Sequence, residues 1–228
     1  MARRLSTGGS ACRRLHKGAD NDISASAYAV RMRKKDLEIA LQGVKGFESP
    51  DPALEQYMTP ATMAADIVFE AYRAGDVEGM KVVDLGCGTG MLSIACSLAG
   101  AGAVIGFDKS EDALRIAEAN AESLGAVVDF RLCDVSDVEE GADTIVMNPP
   151  FGCQRRGADR PFLEKALELS ECVYSIHMAE TLGFVEGFCE KRGREIAYYK
   201  IYKYEIPHTF AFHTKMSKTV DVAVVNIR

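Results

Sequence analysis

The sequence predicts a single α/β domain on a mostly parallel sheet, and three observations predict it. From about residue 60 onward, short apolar runs alternate with segments of helical periodicity. A glycine-rich turn follows the first strong strand, and the chain closes on two strand-like runs with no helix between them. With 228 residues, 47% hydrophobic and 26% charged, there is apolar material for one ordinary core and too little for two full domains.

The elements follow in order. Residues 1 to 35 carry nine basic residues against Asp20 and Asp22, a balance of +7 that leaves −13 for the remainder. Residues 1–31 are rich in Ser, Gly and Ala in their first 27, have no apolar periodicity and lack the core of a secretory signal, so a disordered basic tail is expected before a domain at 32–228. Leu37, Leu41 and Val44 recur at helical spacing until Gly43, Gly46 and Ser49-Pro50-Asp51-Pro52 break the pattern. Thr59 as N-cap with Pro60 in the first turn opens a helix whose Met63, Ile67, Ala71 and Ala74 share a face, ending at Gly75. Strands are then expected at Lys81 to Leu85, Ala103 to Phe107, Val127 to Leu132, Thr144 to Met147 and Val173 to His177. Helices fall between them at Gly90 to Leu98, after Ser110 up to Gly125, and at Pro161 to Ser170, with another at about Glu180 to Lys191. Glu195 to Ile206 and Thr219 to Ile227 form a closing antiparallel hairpin, which makes seven strands.

Composition excludes several classes. A net charge of −6 does not suit a protein that coats nucleic acid non-specifically, because neutralising phosphates needs a surplus of Lys and Arg. Seven cysteines without a CxxC pair or metal-ligand spacing read as reduced thiols in a cytoplasmic enzyme, with no metal site. The 23 uncharged residues between Asp84 and Asp108 could span a bilayer by length alone, but six are glycines, so a buried strand, turn, helix and strand are expected there.

Three consecutive strand ends carry an aspartate. Val82-Val83-Asp84-Leu85-Gly86-Cys87-Gly88-Thr89-Gly90 runs a strand into a glycine turn at a helix start, where backbone approaches a ligand closely and a helix N-terminus favours an anion. Met91 follows Gly90, which departs from the G-x-G-x-x-G of dinucleotide binders, and Asp84 is placed to meet the amino group of a bound amino acid. Asp108, eighteen residues past Gly90, can accept both hydroxyls of a ribose. Asp134, before Val135, can accept from an adenine amine. Together they describe a pocket for an adenosine joined to an amino acid, which is the shape of S-adenosylmethionine.

Asn148-Pro149-Pro150-Phe151 follows the fourth strand. An adenine amine is a poor nucleophile because its lone pair is delocalised. If the Asn148 side-chain oxygen and the Pro149 carbonyl each accept one N–H, the nitrogen becomes tetrahedral and its lone pair is aimed at a sulfonium methyl, with no strong base. The two prolines stiffen that turn, and Phe151 offers a stacking face for a flipped base. Arg155, Arg156 and Arg160, with Gln154, form a basic loop just beyond, and Phe210, Phe212, His213 and Lys215 mix aromatic and basic groups in the hairpin connection; both are candidate RNA contacts. For the tail three readings stay open: an arm on RNA, a flexible extension, or residues upstream of a natural start at Met32. His177 reads as structural, and the tyrosines at 198, 199, 202 and 204 as packing.

From about Met32 to Arg228 the chain resembles the methyltransferase-like protein five family, small ribosomal-subunit RNA adenine-N6 methyltransferases, in its archaeal form. The resemblance rests on Gly46-Phe47-Glu48, Leu54-Glu55-Gln56-Tyr57-Met58-Thr59, Asp84-Leu85-Gly86-Cys87-Gly88, Gly106-Phe107-Asp108, Cys133-Asp134-Val135, Asn148-Pro149-Pro150-Phe151-Gly152, Tyr174-Ser175-Ile176-His177 and Phe212-His213. It implies a Rossmann-like class I S-adenosylmethionine-dependent methyltransferase fold acting on small-subunit ribosomal RNA. It also implies that Gln56, Tyr57 and Thr59 close over the cofactor and that Thr89 and Met91 touch it. Met58 stands where the family has Pro. Eukaryotic members work with a small zinc-binding activator that adds a strand to the sheet edge, here 127–132 by analogy.

Three other readings compete. A protein glutamine N5-methyltransferase faces the same lone-pair problem with the same turn; an NAD-dependent oxidoreductase lacks support from the glycine spacing; a non-catalytic ribosome-assembly factor would not need an intact Asn148 motif.

Overall fold

A computed structural model of the chain describes residues 12–14, 33–152, 155–207 and 217–228. The central strands β2 (Lys81–Leu85), β3 (Ala103–Asp108), β4 (Asp129–Leu132), β5 (Thr144–Met147) and β6 (Cys172–Met178) are parallel, and β8 (Ser217–Ile227) and β7 (Ile196–Pro207) add antiparallel to the β6 side. The expected seven strands gain an eighth, β1 (Arg13–Arg14), antiparallel on β4. The order is β1-β4-β3-β2-β5-β6-β8-β7. From β2 the chain first builds outward through β3 and β4, then returns to lay β5 on the other side of β2. That reversal leaves a crevice at the carboxyl ends of β2 and β5, where open α/β sheets bind ligands.

Alternation along each strand feeds two cores. Val82 points to a layer with Leu37 and Leu41 of α1 (Lys34–Leu41), Met63 and Val68 of α2 (Ala61–Ala74), Ile94 of α3 (Met91–Leu98) and Leu114 of α4 (Glu111–Leu124). Val83 and Leu85 point to the opposite layer, with Leu163 of α5 (Arg160–Leu169) and Val185 of α6 (Leu182–Glu190). The uncharged stretch after Asp84 is therefore buried strand, helix and strand, and no helix among the described residues is long and apolar enough to cross a membrane.

Four sequence expectations are corrected. Thr59 does not cap α2: Pro60 precedes the helix without a side-chain cap bond, because the Thr59 hydroxyl is committed elsewhere. Strand β4 begins at Asp129 rather than Val127, whose side chain is exposed. A 3-10 turn, Ala179–Thr181, precedes α6. Not all cysteines are free thiols, since Cys12 and Cys133, 121 residues apart in sequence, form a disulfide. The glycine stops do hold, with Gly75 at φ 83° and Gly125 at φ 66° ending α2 and α4 in the left-handed conformation.

One buried carboxylate fixes α2 against the hairpin. Asp66, 5% exposed, accepts hydrogen bonds from Lys34, Lys200 and Tyr202. Burial alone would raise its pKa, but the three donors overcome that and hold it at about 2, below the ordinary 3.8. Because the folded value is depressed, the stabilisation is present above pH 4 and is lost as pH falls from about 4 to about 2. We expect Asp66→Ala to lose about 2 kcal/mol at neutral pH and to unfold with less acid dependence in that window, as measured by denaturant titration at a series of pH values.

Candidate active site

The crevice is a cavity of about 530 Å³, within the range that holds a cofactor-sized ligand. At its floor the turn after β2 is tightly laced. The Gly86 and Cys87 N–H groups both donate to the Phe107 carbonyl, at 2.8 and 2.9 Å, and the Gly88 N–H donates to Asp108 Oδ2 at 2.9 Å. Gly86 has φ 71° and Gly88 φ 55°, and a Cβ would come within 2.8 Å of the Phe162 ring at the first and 3.0 Å of the Phe47 ring at the second. Glycine is required at both for conformation and for space.

Asp84 is 1% exposed. Its Oδ2 accepts from the Ser93 N–H at 2.9 Å and hydroxyl at 2.6 Å, whereas its Oδ1 is buried with no hydrogen-bond partner among the described residues. Desolvation pushes its pKa up to about 7, the Ser93 bonds opposing and the nearby Asp108 charge adding to it. A buried acid with one orphaned oxygen is a site for a cation with N–H donors. Asp108, likewise raised first of all by burial, accepts the Ser110 N–H on Oδ1 at 2.9 Å; each oxygen keeps a further lone pair for hydroxyl donors. Asp134 is exposed, and its Oδ1 takes the Ser136 N–H at 3.0 Å and hydroxyl at 2.8 Å. The Ser136 backbone bond lowers its pKa, so it is ionised at neutral pH.

Asn148 leaves the end of β5 directly beside this floor, because Leu85 and Met147 are register partners. Its Nδ2 donates to Thr59 Oγ1 at 3.0 Å, and its Oδ1 is buried with no partner among the described residues. Thr59 is 4% exposed and sits where the Tyr204 hydroxyl, at 3.1 Å, anchors the preceding carbonyl of Met58. Phe151 meets the Tyr204 ring edge-on, centroids 5.8 Å apart.

Most sequence candidates converge here. Gln56, Tyr57, Thr59, Asp84, Gly86, Gly88, Thr89, Met91, Asp108, Asp134 and Val135 all line the cavity, as do Asn148, Pro150, Arg155, Arg156 and Arg160. Gly90, the residue preceding α3, is not part of the lining, nor are Pro149 and Phe151. Gln154, Phe210, Phe212, His213 and Lys215 lie outside the described residues. His177 is 2% exposed, with Nε2 2.8 Å from Ser175 Oγ and Nδ1 3.7 Å from Asp159, and it does not reach the cavity.

Several contributors carried no sequence signal of their own. Asn120 of α4 donates from Nδ2 to the Thr89 and Lys45 carbonyls, both at 3.0 Å, and accepts the Lys45 N–H, tying the glycine turn to the segment that carries Phe47. A polar residue on an otherwise alanine-rich buried helix face was the only hint. Glu55, 7% exposed, lines the cavity with φ 50°, a sparsely populated conformation for a side chain with Cβ.

The sheet order and this cavity define a class I S-adenosylmethionine-dependent methyltransferase, and residues 76–196 match the family model described as a methyltransferase domain. The chain is 36% identical to the rRNA N(6)-adenosine-methyltransferase METTL5 of Danio rerio, over 86% of this chain and 98% of that protein. An uncharacterized protein of Methanocaldococcus jannaschii is 37% identical over 86% and 94%. A crystal structure from Pyrococcus horikoshii superposes with a TM-score of 0.81 at 41% identity, covering 86% of this chain and 97% of that one. The chain belongs to the METTL5 family of methyltransferases.

Acidification below about pH 7 protonates Asp84 in the free protein, so S-adenosylmethionine, whose ammonium prefers the carboxylate, should bind more weakly as pH falls, approaching tenfold per unit. Calorimetric titration across pH 5.5 to 8 checks this on the order of one to two decades, and Asp84→Asn should flatten the profile.

Proposed function

We propose that this enzyme methylates the N6 amine of an adenine in small-subunit ribosomal RNA, in the cytoplasm where that RNA is found. The observation that carries the reading is that Asn148 and Asp84 line the same cavity, each with a buried Oδ1 that has no hydrogen-bond partner among the described residues. The names of the relatives support the choice of substrate.

When bound, S-adenosylmethionine supplies an electrophilic methyl on a positively charged sulfur. Asp84 accepts from its ammonium, Asp108 from the ribose hydroxyls and Asp134 from the adenine amine. On the substrate side Asn148 acts as an acceptor. Thr59 accepts from the amide nitrogen, and in that orientation Oδ1 is left to take one hydrogen of the target amine. The Pro149 carbonyl, adjacent to Asn148 on a residue outside the cavity lining, is the candidate acceptor for the other; with both hydrogens taken, the lone pair is withdrawn from the ring and aimed at the methyl. Alignment in a preorganised site replaces a strong base. Arg155, Arg156 and Arg160 are exposed at the rim, where phosphates of a splayed strand can be held.

The zinc-binding activator implied by the family resemblance belongs to the same reading. A strand added at 127–132 needs the outer edge of β4, where β1 pairs Leu132 and Arg131, so it joins only when β1 leaves.

Asn148→Ala should lower methyl transfer to small-subunit rRNA by at least about a hundredfold while S-adenosylmethionine affinity stays within about twofold. Labelled-methyl transfer and calorimetry measure the two; wild-type turnover in the variant would remove Asn148 from the mechanism. Wild type offered purified rRNA and a release factor in parallel should label only the RNA. Arg155→Ala with Arg156→Ala should raise the apparent KM for RNA about tenfold and weaken its salt dependence.

A further inference from the structure

Strand β4 has four residues and is the outermost of the parallel strands, so its far side would expose unpaired backbone groups. The chain covers that side itself. Arg13 and Arg14 pair with Leu132 and Arg131; Arg14 also bridges Asp129 at 2.7 Å, and Arg13 reaches Glu111 at 3.7 Å. The residue before them, Cys12, is disulfide-bonded to Cys133, which directly follows β4. Cys133 is buried, lines the cavity, and donates its N–H to the Asp108 carbonyl at 2.9 Å; Asp134, Val135 and Ser136 continue the cavity wall.

We propose that residues 12–14 are a built-in edge strand for β4, and that the Cys12–Cys133 bond fastens it so that the cap also sets the adenine side of the cofactor cavity. The two ladder pairs and the exposed ion pairs are individually weak, and salt screens the latter. The covalent link is what keeps so short a strand in place, by removing the conformational freedom of a detached arm 121 residues away in sequence. A dithiol reductant opens it: the sulfur–sulfur bond breaks, Cys12 and Cys133 each take up one electron and one proton, and the reductant is oxidised to its own disulfide. The freed arm leaves, β4 is exposed, and the wall from Cys133 to Ser136 loosens. Exchange with an oxidised disulfide donor reverses the step. The surface therefore accepts a strand, and its occupant in the oxidised protein is the same chain. None of this depends on RNA being the substrate.

The test uses the full-length protein prepared without reductant. Peptide mapping should recover Cys12 linked to Cys133 within one chain. Adding dithiothreitol, or substituting Cys12→Ser, should speed amide exchange at Leu132, whose N–H faces the β1 edge, and raise the dissociation constant for S-adenosylmethionine on the order of tenfold. Dithiothreitol should add nothing to Cys12→Ser. Arg14→Glu, which keeps both cysteines but repels Asp129, should speed exchange at β4 less than reduction does, because the disulfide still fastens the arm. Complete alkylation of both cysteines before reduction would overturn the proposal. So would a Cys12-linked dimer on a non-reducing gel, which would place the arm on a second copy, or reduction that leaves both exchange and cofactor affinity unchanged.

Discussion

Strands β2 and β5 lie side by side and parallel, with Leu85 opposite Met147, and the chemistry of this protein depends on that register. The glycine turn and the Asn148 turn each follow directly from one of these strands, so both must open into the same crevice. A shift by one residue would turn the alternating side chains to the wrong core and separate the two orphaned oxygens. The crevice exists at all because the chain reverses its direction of sheet growth between β4 and β5.

The cavity is electrostatically costly. Asp84 and Asp108 are both held above the ordinary carboxylate range, chiefly by burial, and the Cys87 thiol between them is raised by burial and then by both acids. Such a cluster does not favour the fold; it is maintained by the rigid layers above and below, and it favours a ligand that brings a cation and hydroxyl donors. Preorganisation at Asn148 has the same character. The Thr59 hydroxyl, the Met58 carbonyl and Tyr204 form a chain of contacts back to β7, and Asp66 binds α2 to that same strand. The hairpin at one edge of the sheet thus orients an amide at its centre, whereas the opposite edge borders the cavity through Cys133 and Asp134.

The class of the protein was legible in the sequence because its signals are local. A strand that runs into Gly86-Cys87-Gly88, aspartates at successive strand ends, and an Asn-Pro-Pro turn each result from a few adjacent residues whose conformational preferences hold in any context. Periodicity placed the helices and strands of the domain to within a few residues for the same reason.

What only the tertiary structure decided involves partners far apart in the chain. Thr59 reads as a helix cap from its neighbours, yet its hydroxyl goes to Asn148, 89 residues away, since a buried amide N–H must be satisfied. Asn120 is one polar residue in an alanine-rich helix until the Lys45 and Thr89 backbones meet it. The basic start of the chain has no periodicity of its own, and Cys12 and Arg14 acquire a place only through β4 and Cys133. Local preference is written along the chain, while the satisfaction of buried polar groups and open strand edges depends on which distant segments the fold brings together.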